Sequence, residues 1–228
     1  MTFNEILAQV SWNVWGNTTI SANSAGILTN RIIPDAHRQI QRDYNYWFMQ
    51  TWAEITTQLG LNDIYLQAYA LPDGFKELIS VQWQRTNSDG DDLGKTEPLL
   101  AMPPGYAQRY FWPSDNLKSV EYPTHYEIVN NMIVFYPDIN AVRTAIMVYF
   151  QILDCPTGDN DDELLIHGDQ AVISKSTALL YKSLHDVANF QTWIALYDDE
   201  IAILRGLDFS KRFSSFKEII PDAYGLVE

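Results

Sequence analysis

Apolar residues recur with one spacing at both ends of this 228-residue chain and with another in its middle, and that switch restricts the fold more than any other feature. From Thr2 to Trp15, residues Phe3, Ile6, Leu7, Val10 and Val14 return at three- and four-residue steps. Thr2 stands where an N-cap belongs, Glu5 three residues later completes a capping box, and Gly16 ends the pattern. This predicts an amphipathic helix. The small polar run from Asn17 to Gly26 reads as a loop. Ile27 to Trp52 then carries a second helical pattern through Ile33, Ala36, Ile40, Tyr44, Trp47 and Phe48, and Pro34 either starts its main part or kinks it.

The period changes near Thr56. From Ile64 to about Leu153 the sequence reads as β, in the segments Ala68–Pro72, Phe75–Arg85, Tyr126–Pro137 and Ala145–Leu153. Asn130 and Asn131 lie between two β-rich runs, and Asn tolerates the positive φ of a two-residue type I′ turn, so a hairpin is predicted there. Met102–Trp112 reads as a short helix after Pro104 or as an irregular arm. The acidic run Gly158–Glu163 closes the β region, and helical spacing returns in Ala171–Val187 and Phe190–Leu207. Beyond Asp208 the periodicity fades, which predicts an extended arm. The expected fold class is α+β: an antiparallel helical bundle built from both chain ends, residues 1–60 and 164–208, with an antiparallel β domain inserted at 61–163 and a C-terminal arm at 209–228.

Charge and motifs exclude more than they select. Fifteen basic and 29 acidic residues leave a net charge of −14, which repels phosphate backbones and anionic lipid headgroups unless the cations cluster. A lone Cys155 excludes an internal disulfide and any multi-cysteine metal site, and fits a reducing compartment. No apolar stretch reaches the length of a membrane span, and the first ten residues lack the basic start of a signal peptide, so a soluble, unprocessed protein is expected. The nucleophile elbow, the Walker A loop, the dinucleotide fingerprint and the H-E-x-x-H pair are all missing.

His37, His125, His167 and His185 fall on at least three elements, and none shares metal-ligand spacing with another His or Cys; His37 and His185 read as helix-surface or helix-packing residues. The acidic runs Asn87–Asp92 and Asp159–Glu163 lack the combination of Gly and distal Glu that a calcium loop requires. Asp198, Asp199 and Glu200 are consecutive on one predicted helix, so they do not face one cleft as a glycosidase pair would. No catalytic residue, metal site or cofactor is therefore expected. The 10 Phe, 7 Trp and 13 Tyr exceed what a core of this size needs, which points to contact surfaces. Five Trp lie on predicted helices and read as packing residues. Trp83 and Trp112 are left as candidate surface rings.

The order of these pieces resembles the head-to-tail adaptor, or neck, proteins of tailed bacteriophages, the portal-ring adaptors that include tail tubular protein A. The likeness is carried by the helix pair ending in Ile33–Phe48, the extended segment and strand Ala68–Trp83, the Tyr-led hairpin Tyr126–Pro137, the aromatic strand Met147–Leu153, and the acidic linker with two helices at Asp159–Gly206. It runs from about Phe3 to Leu207. The chain departs from the pattern in its Asn-Asn hairpin turn and in a longer, more aromatic stretch up to Trp112.

The resemblance implies a non-catalytic virion protein of the neck, assembled in the host cytoplasm, whose partners are the portal protein, a tail tube or nozzle protein, and itself. It implies a homo-oligomeric ring, commonly of twelve copies, around a channel that genomic DNA crosses without specific binding, and no membrane. Acidic subunits suit such a channel, because attraction to Lys and Arg would slow the passage of DNA. The aromatic, basic C-terminal segment is expected to meet the portal through Phe209, Lys211, Arg212, Phe213, Phe216 and Lys217. Trp83, Tyr110, Phe111 and Trp112 are expected to meet the tail component or an adjacent subunit. A glycan- or receptor-binding virion module using exposed aromatics is the alternative reading.

Overall fold

A computed structural model describes residues 1–18, 21–57, 68–86, 92–103, 105–106, 122–137 and 141–217, with only the backbone at 85–86, 92–95 and 213–217. The chain divides into two compact units, Met1–Met49 with Ile152–Glu228, and Gln50–Gln151 between them. These breaks differ from the expected 60/61 and 163/164. The first strand starts at Gln50, inside the segment whose spacing predicted helix, and the chain after Gln151 already packs with the helices.

The helical unit opens with α1, Phe3–Trp15. Thr2 and Glu5 form the predicted capping box, and Gly16 closes the helix at φ 62°, a left-handed conformation that costs glycine nothing. Next come α2, Ala22–Ile27, a π-helical turn, Leu28–Ile32, and α3, Ile33–Asp43. Pro34 explains the wide turn. It has no N–H for the carbonyl four residues back and its ring crowds that carbonyl, so the ladder opens and Ile33 donates to Leu28 instead.

The predicted second helix was expected to reach Trp52, but it stops at Asp43. Tyr44 is extended (φ −152°, ψ 154°), and Trp47–Met49 form a single 3₁₀ turn before β1. After the β unit the chain forms α4, Glu163–His167, then α5, Asp169–Ser183, and α6, Val187–Lys217. α5 packs against α1, α3 and α6 and buries Ala171, Val172, Ile173, Ala178 and Leu180. The short α4 gives way to α5 at Gly168, where a Cβ would sit 3.0 Å from Leu204 Cδ2 and 3.3 Å from the Leu164 carbonyl, so a larger residue would have to push its neighbours aside by a few tenths of an ångström.

The C-terminal arm expected from residue 209 is helical as far as Lys217, the continuation of α6. Residues 218–228 lie outside the described set.

The β unit contains β1, Gln50–Thr56; β2, Ala68–Ala70; β3, Phe75–Thr86; β4, Asp92–Pro98; β5, Leu100–Ala101; β6, His125–Val129; β7, Met132–Tyr136; and β8, Thr144–Gln151. They make two four-stranded sheets, ordered β1-β8-β3-β4 and β2-β7-β6-β5. Pairing is antiparallel apart from the two-residue parallel match of β5 with β6. The predicted hairpin is present: Asn130 and Asn131 both hold positive φ (51° and 61°), as a type I′ turn requires, and Val129 faces Met132.

Side chains alternate in and out along each strand, so Val81 and Trp83, Ala145, Met147 and Tyr149, and Ile133 and Phe135 all reach one shared core. Trp83, expected as a surface ring, is 1% exposed and packs against Phe135 with ring centroids 4.9 Å apart. Three of the five tryptophans expected in helix packing also depart from that reading, whereas Trp47 and Trp193 are half-buried in the helical unit. Trp12, Trp15 and Trp52 are exposed, because α1 buries the line Phe3, Ile6, Val10, from which positions 12 and 15 turn away, and Trp52 lies on a strand.

Candidate functional site

Two polar knots fix what the helical unit can present. In the first, Gln41 on α3 bonds both backbone groups of Leu153: the Leu153 N–H donates to Oε1 at 2.7 Å, and Nε2 donates to the Leu153 carbonyl at 3.1 Å. Leu153 thereby fixes which end of the amide is nitrogen. The Gln41 Nε2 also lies 2.9 Å from His37 Nδ1, so that ring nitrogen accepts, and the other ring nitrogen, His37 Nε2, carries the proton donated to Asp162 at 2.7 Å. Asp162 also accepts from the Leu165 N–H at 2.8 Å and so caps α4. His37 is 1% exposed. The knot therefore ties the returning chain and the start of α4 to α3.

Cys155 lies beside it. Burial, and secondarily the Asp162 charge, push its thiol up to about 12, so it stays protonated and is a poor nucleophile at neutral pH. Among the described residues no cluster of His, Cys, Asp or Glu has the geometry of a metal site.

The second knot centres on Asp208, which is fully buried on α6. Its carboxylate accepts from the Trp47 N–H at 2.6 Å, from the Tyr44 hydroxyl at 3.0 Å and from Arg212 Nε at 2.9 Å. The Arg212 guanidinium also donates to the Asn45 carbonyl. Arg205 lies over the Tyr44 ring at 5.2 Å. Around these bonds the aromatic run 44–48 forms a block: Tyr46 stacks on Phe48 with centroids 5.2 Å apart, and Trp47 meets His167 at 5.1 Å. Burial raises the Tyr44 and Tyr46 hydroxyls above their ordinary range, which keeps both neutral.

This second knot decides the fate of the residues expected to meet the portal. Phe209 is 62% exposed and Lys211 is exposed, whereas Arg212 is a half-buried clamp. Phe213, Phe216 and Lys217 continue the helix, and their side chains are outside the described set. Of the residues assigned to tail or subunit contact, Trp83 is in the core and Tyr110, Phe111 and Trp112 lie outside the described residues. Sequence reasoning missed both knots. The signal for the second was the i, i+4 pair Asp208 and Arg212, whose carboxylate then draws in Tyr44 and the Trp47 amide.

No helix among the described residues is long and apolar enough to cross a membrane. A search of curated proteins returns no match. The model of the family described as SU10 adaptor protein matches residues 1–215, nearly the whole chain. The helical segments at both ends flank an inserted β unit, as the change of period predicted, and by the family match the chain belongs to the SU10 adaptor protein family and is a phage head-to-tail adaptor.

Proposed function

We propose that copies of this chain close into a ring of twelve beneath the portal, join the capsid to the tail tube or nozzle, and leave an axial channel for DNA in the virion neck. The observation that carries this reading is the family match over residues 1–215. Surface chemistry supports it. Large apolar side chains stand exposed, among them Trp12, Trp52, Ile203 and Phe209, in a chain whose −14 charge would otherwise keep copies apart.

The portal contact falls to the last turns of α6, with Phe209, Phe213 and Phe216 as anchors and Lys211 and Lys217 as cations. Arg212 contributes indirectly, by holding the helix that carries them. Tyr110, Phe111 and Trp112 are assigned to the tail-side or subunit contact. An acidic channel wall lets DNA pass without gripping it.

The test keeps Asp208 and Arg212 and changes Phe209, Phe213 and Phe216 to Ala together. The folded variant is expected to lose attachment to portal-containing heads in a sedimentation assay. Undiminished attachment would remove the C-terminal turns from the portal contact, and a wild-type chain that does not attach at all would remove the adaptor function.

A further inference from the structure

The helical unit carries two largely exposed faces of opposite sign, each lacking an internal partner among the described residues. On α3 and the π turn before it, Arg31, Arg38 and Arg42 are all exposed. Their spacing of seven and then four residues puts them on one line along the helix, and Ile27, 46% exposed, begins the same line. On α6, Leu196, Asp199, Glu200, Ile203 and Leu207 recur at three- and four-residue steps and form a second line. Leu196, Ile203 and Leu207 are 45%, 59% and 45% exposed, while Tyr197, Ile201, Leu204 and Asp208 occupy the buried side.

Among the described residues, the side chains of Arg31, Arg38, Arg42, Asp199 and Glu200 make no hydrogen bond or ion pair. Three unpaired guanidinium groups on one helix face stand out in a chain of charge −14. Arginine is also the cation best suited to carboxylate partners, since its planar fork meets two oxygens at once.

We propose that the arginine face of α3 in one copy docks on the acidic and apolar face of α6 in a second copy. Arg38 and Arg42 meet Asp199 and Glu200, and Ile27 covers apolar surface near Leu196 and Ile203. Charge complementarity between the two faces selects this occupant. A net-acidic chain repels its own copies almost everywhere, and these faces turn that repulsion into attraction at one orientation. The two faces are different surfaces, so the contact is head to tail, and repeating it generates a ring if the rotation closes. The assignment deepens the ring reading above and rests on it for closure.

The experiment uses the full chain and measures its mass by sedimentation equilibrium over a wide concentration range at fixed salt. Reversing the arginine face (Arg38→Glu with Arg42→Glu) or the acidic face (Asp199→Lys with Glu200→Lys) is expected to weaken self-association by about tenfold or more. Mixing the two variants restores it, because each then offers the other a complementary face. Restoration in the mixture separates a docking seam from a folding defect, which no partner would repair.

Unchanged association in both variants would overturn the assignment while leaving the adaptor reading intact, as would a wild-type chain that is monomeric at every concentration yet attaches to heads. A third overturning result is an arginine variant of unchanged mass that binds a short DNA duplex more weakly than wild type, since the arginines would then serve phosphate.

Discussion

The β unit and the helical unit hold their buried polar groups in different ways. In the β unit the buried apolar cluster runs through Ile55, Leu71, Trp83, Phe135, Met147 and Tyr149, and among the described residues the buried Thr57 and Glu127 bond backbone groups only, Thr57 those of Ala141 and Arg143 and Glu127 the Gly105 N–H. The helical unit has its apolar seam too, but its buried His37, Gln41 and Asp208 sit in networks of several side chains, and each of them holds chain from a distant part of the sequence. Apolar burial is non-directional and tolerates small shifts, whereas a hydrogen-bonded knot is satisfied in one arrangement only. The unit that carries the proposed portal contact and the proposed α3–α6 contact is thus the one whose loop and helix ends are pinned by networks of directional bonds.

The largest expected effect breaks the β side of that contrast. Trp83→Ala removes the biggest fully buried ring and should cost the β unit about 3–5 kcal/mol. Hydrogen exchange should show faster exchange in β3, β7 and β8 with α5 still protected. Equal loss of protection in α5 would mean that the two units do not unfold separately.

Next in size is the second knot. Asp208→Ala strands the Arg212 side chain, the Tyr44 hydroxyl and the Trp47 amide, and should destabilise the helical unit by about 3 kcal/mol. Asp208→Asn keeps an acceptor and should recover part of that. Thermal unfolding of both variants checks the order, and if Asn were no better than Ala the bonds would not be what holds α6 to the aromatic block.

The smallest effect concerns Cys155. Its thiol is raised from 9.0 to about 12, so the folded state favours the protonated form. The sign follows: this contribution to stability is complete below about pH 9 and is lost as the pH climbs towards 12. Labelling by a maleimide at pH 8 should be much slower in the folded chain than in the denatured one. Equal rates would place the thiol in water and outside the influence of the first knot.

Local rules written into single residues were legible in the sequence. The capping box of Thr2 and Glu5, the stop at Gly16 and the Asn130-Asn131 turn depend only on neighbours in the chain, and all three are present in the fold. The order of helix, sheet and helix was legible from the period. What failed was whatever depends on contacts distant in sequence. The helical spacing through Tyr44, Trp47 and Phe48 was real, but those rings are spent on an aromatic block beside Asp208, and the backbone there leaves the helix.

Similarly, α6 continues past Asp208, where the Asp208–Arg212 pair and the bond from Arg212 to the Asn45 carbonyl anchor it, and the four- and three-residue steps of Phe209, Phe213 and Phe216 are the local signal for that continuation. The tryptophans were inverted for a related reason. A large ring announces burial only if its position falls on the inward face, and Trp83 does where Trp12 and Trp15 do not.

The pairing of β1 with β8 has an architectural consequence. Gln50 lies directly across from Phe150, so the polypeptide enters the sheets and departs from them at nearly the same place. An insert with adjoining ends can be lengthened, trimmed or exchanged like a cassette without asking its host to re-route. This permits the β unit to diversify by recombination while the helical segments that flank it in the chain stay as they are.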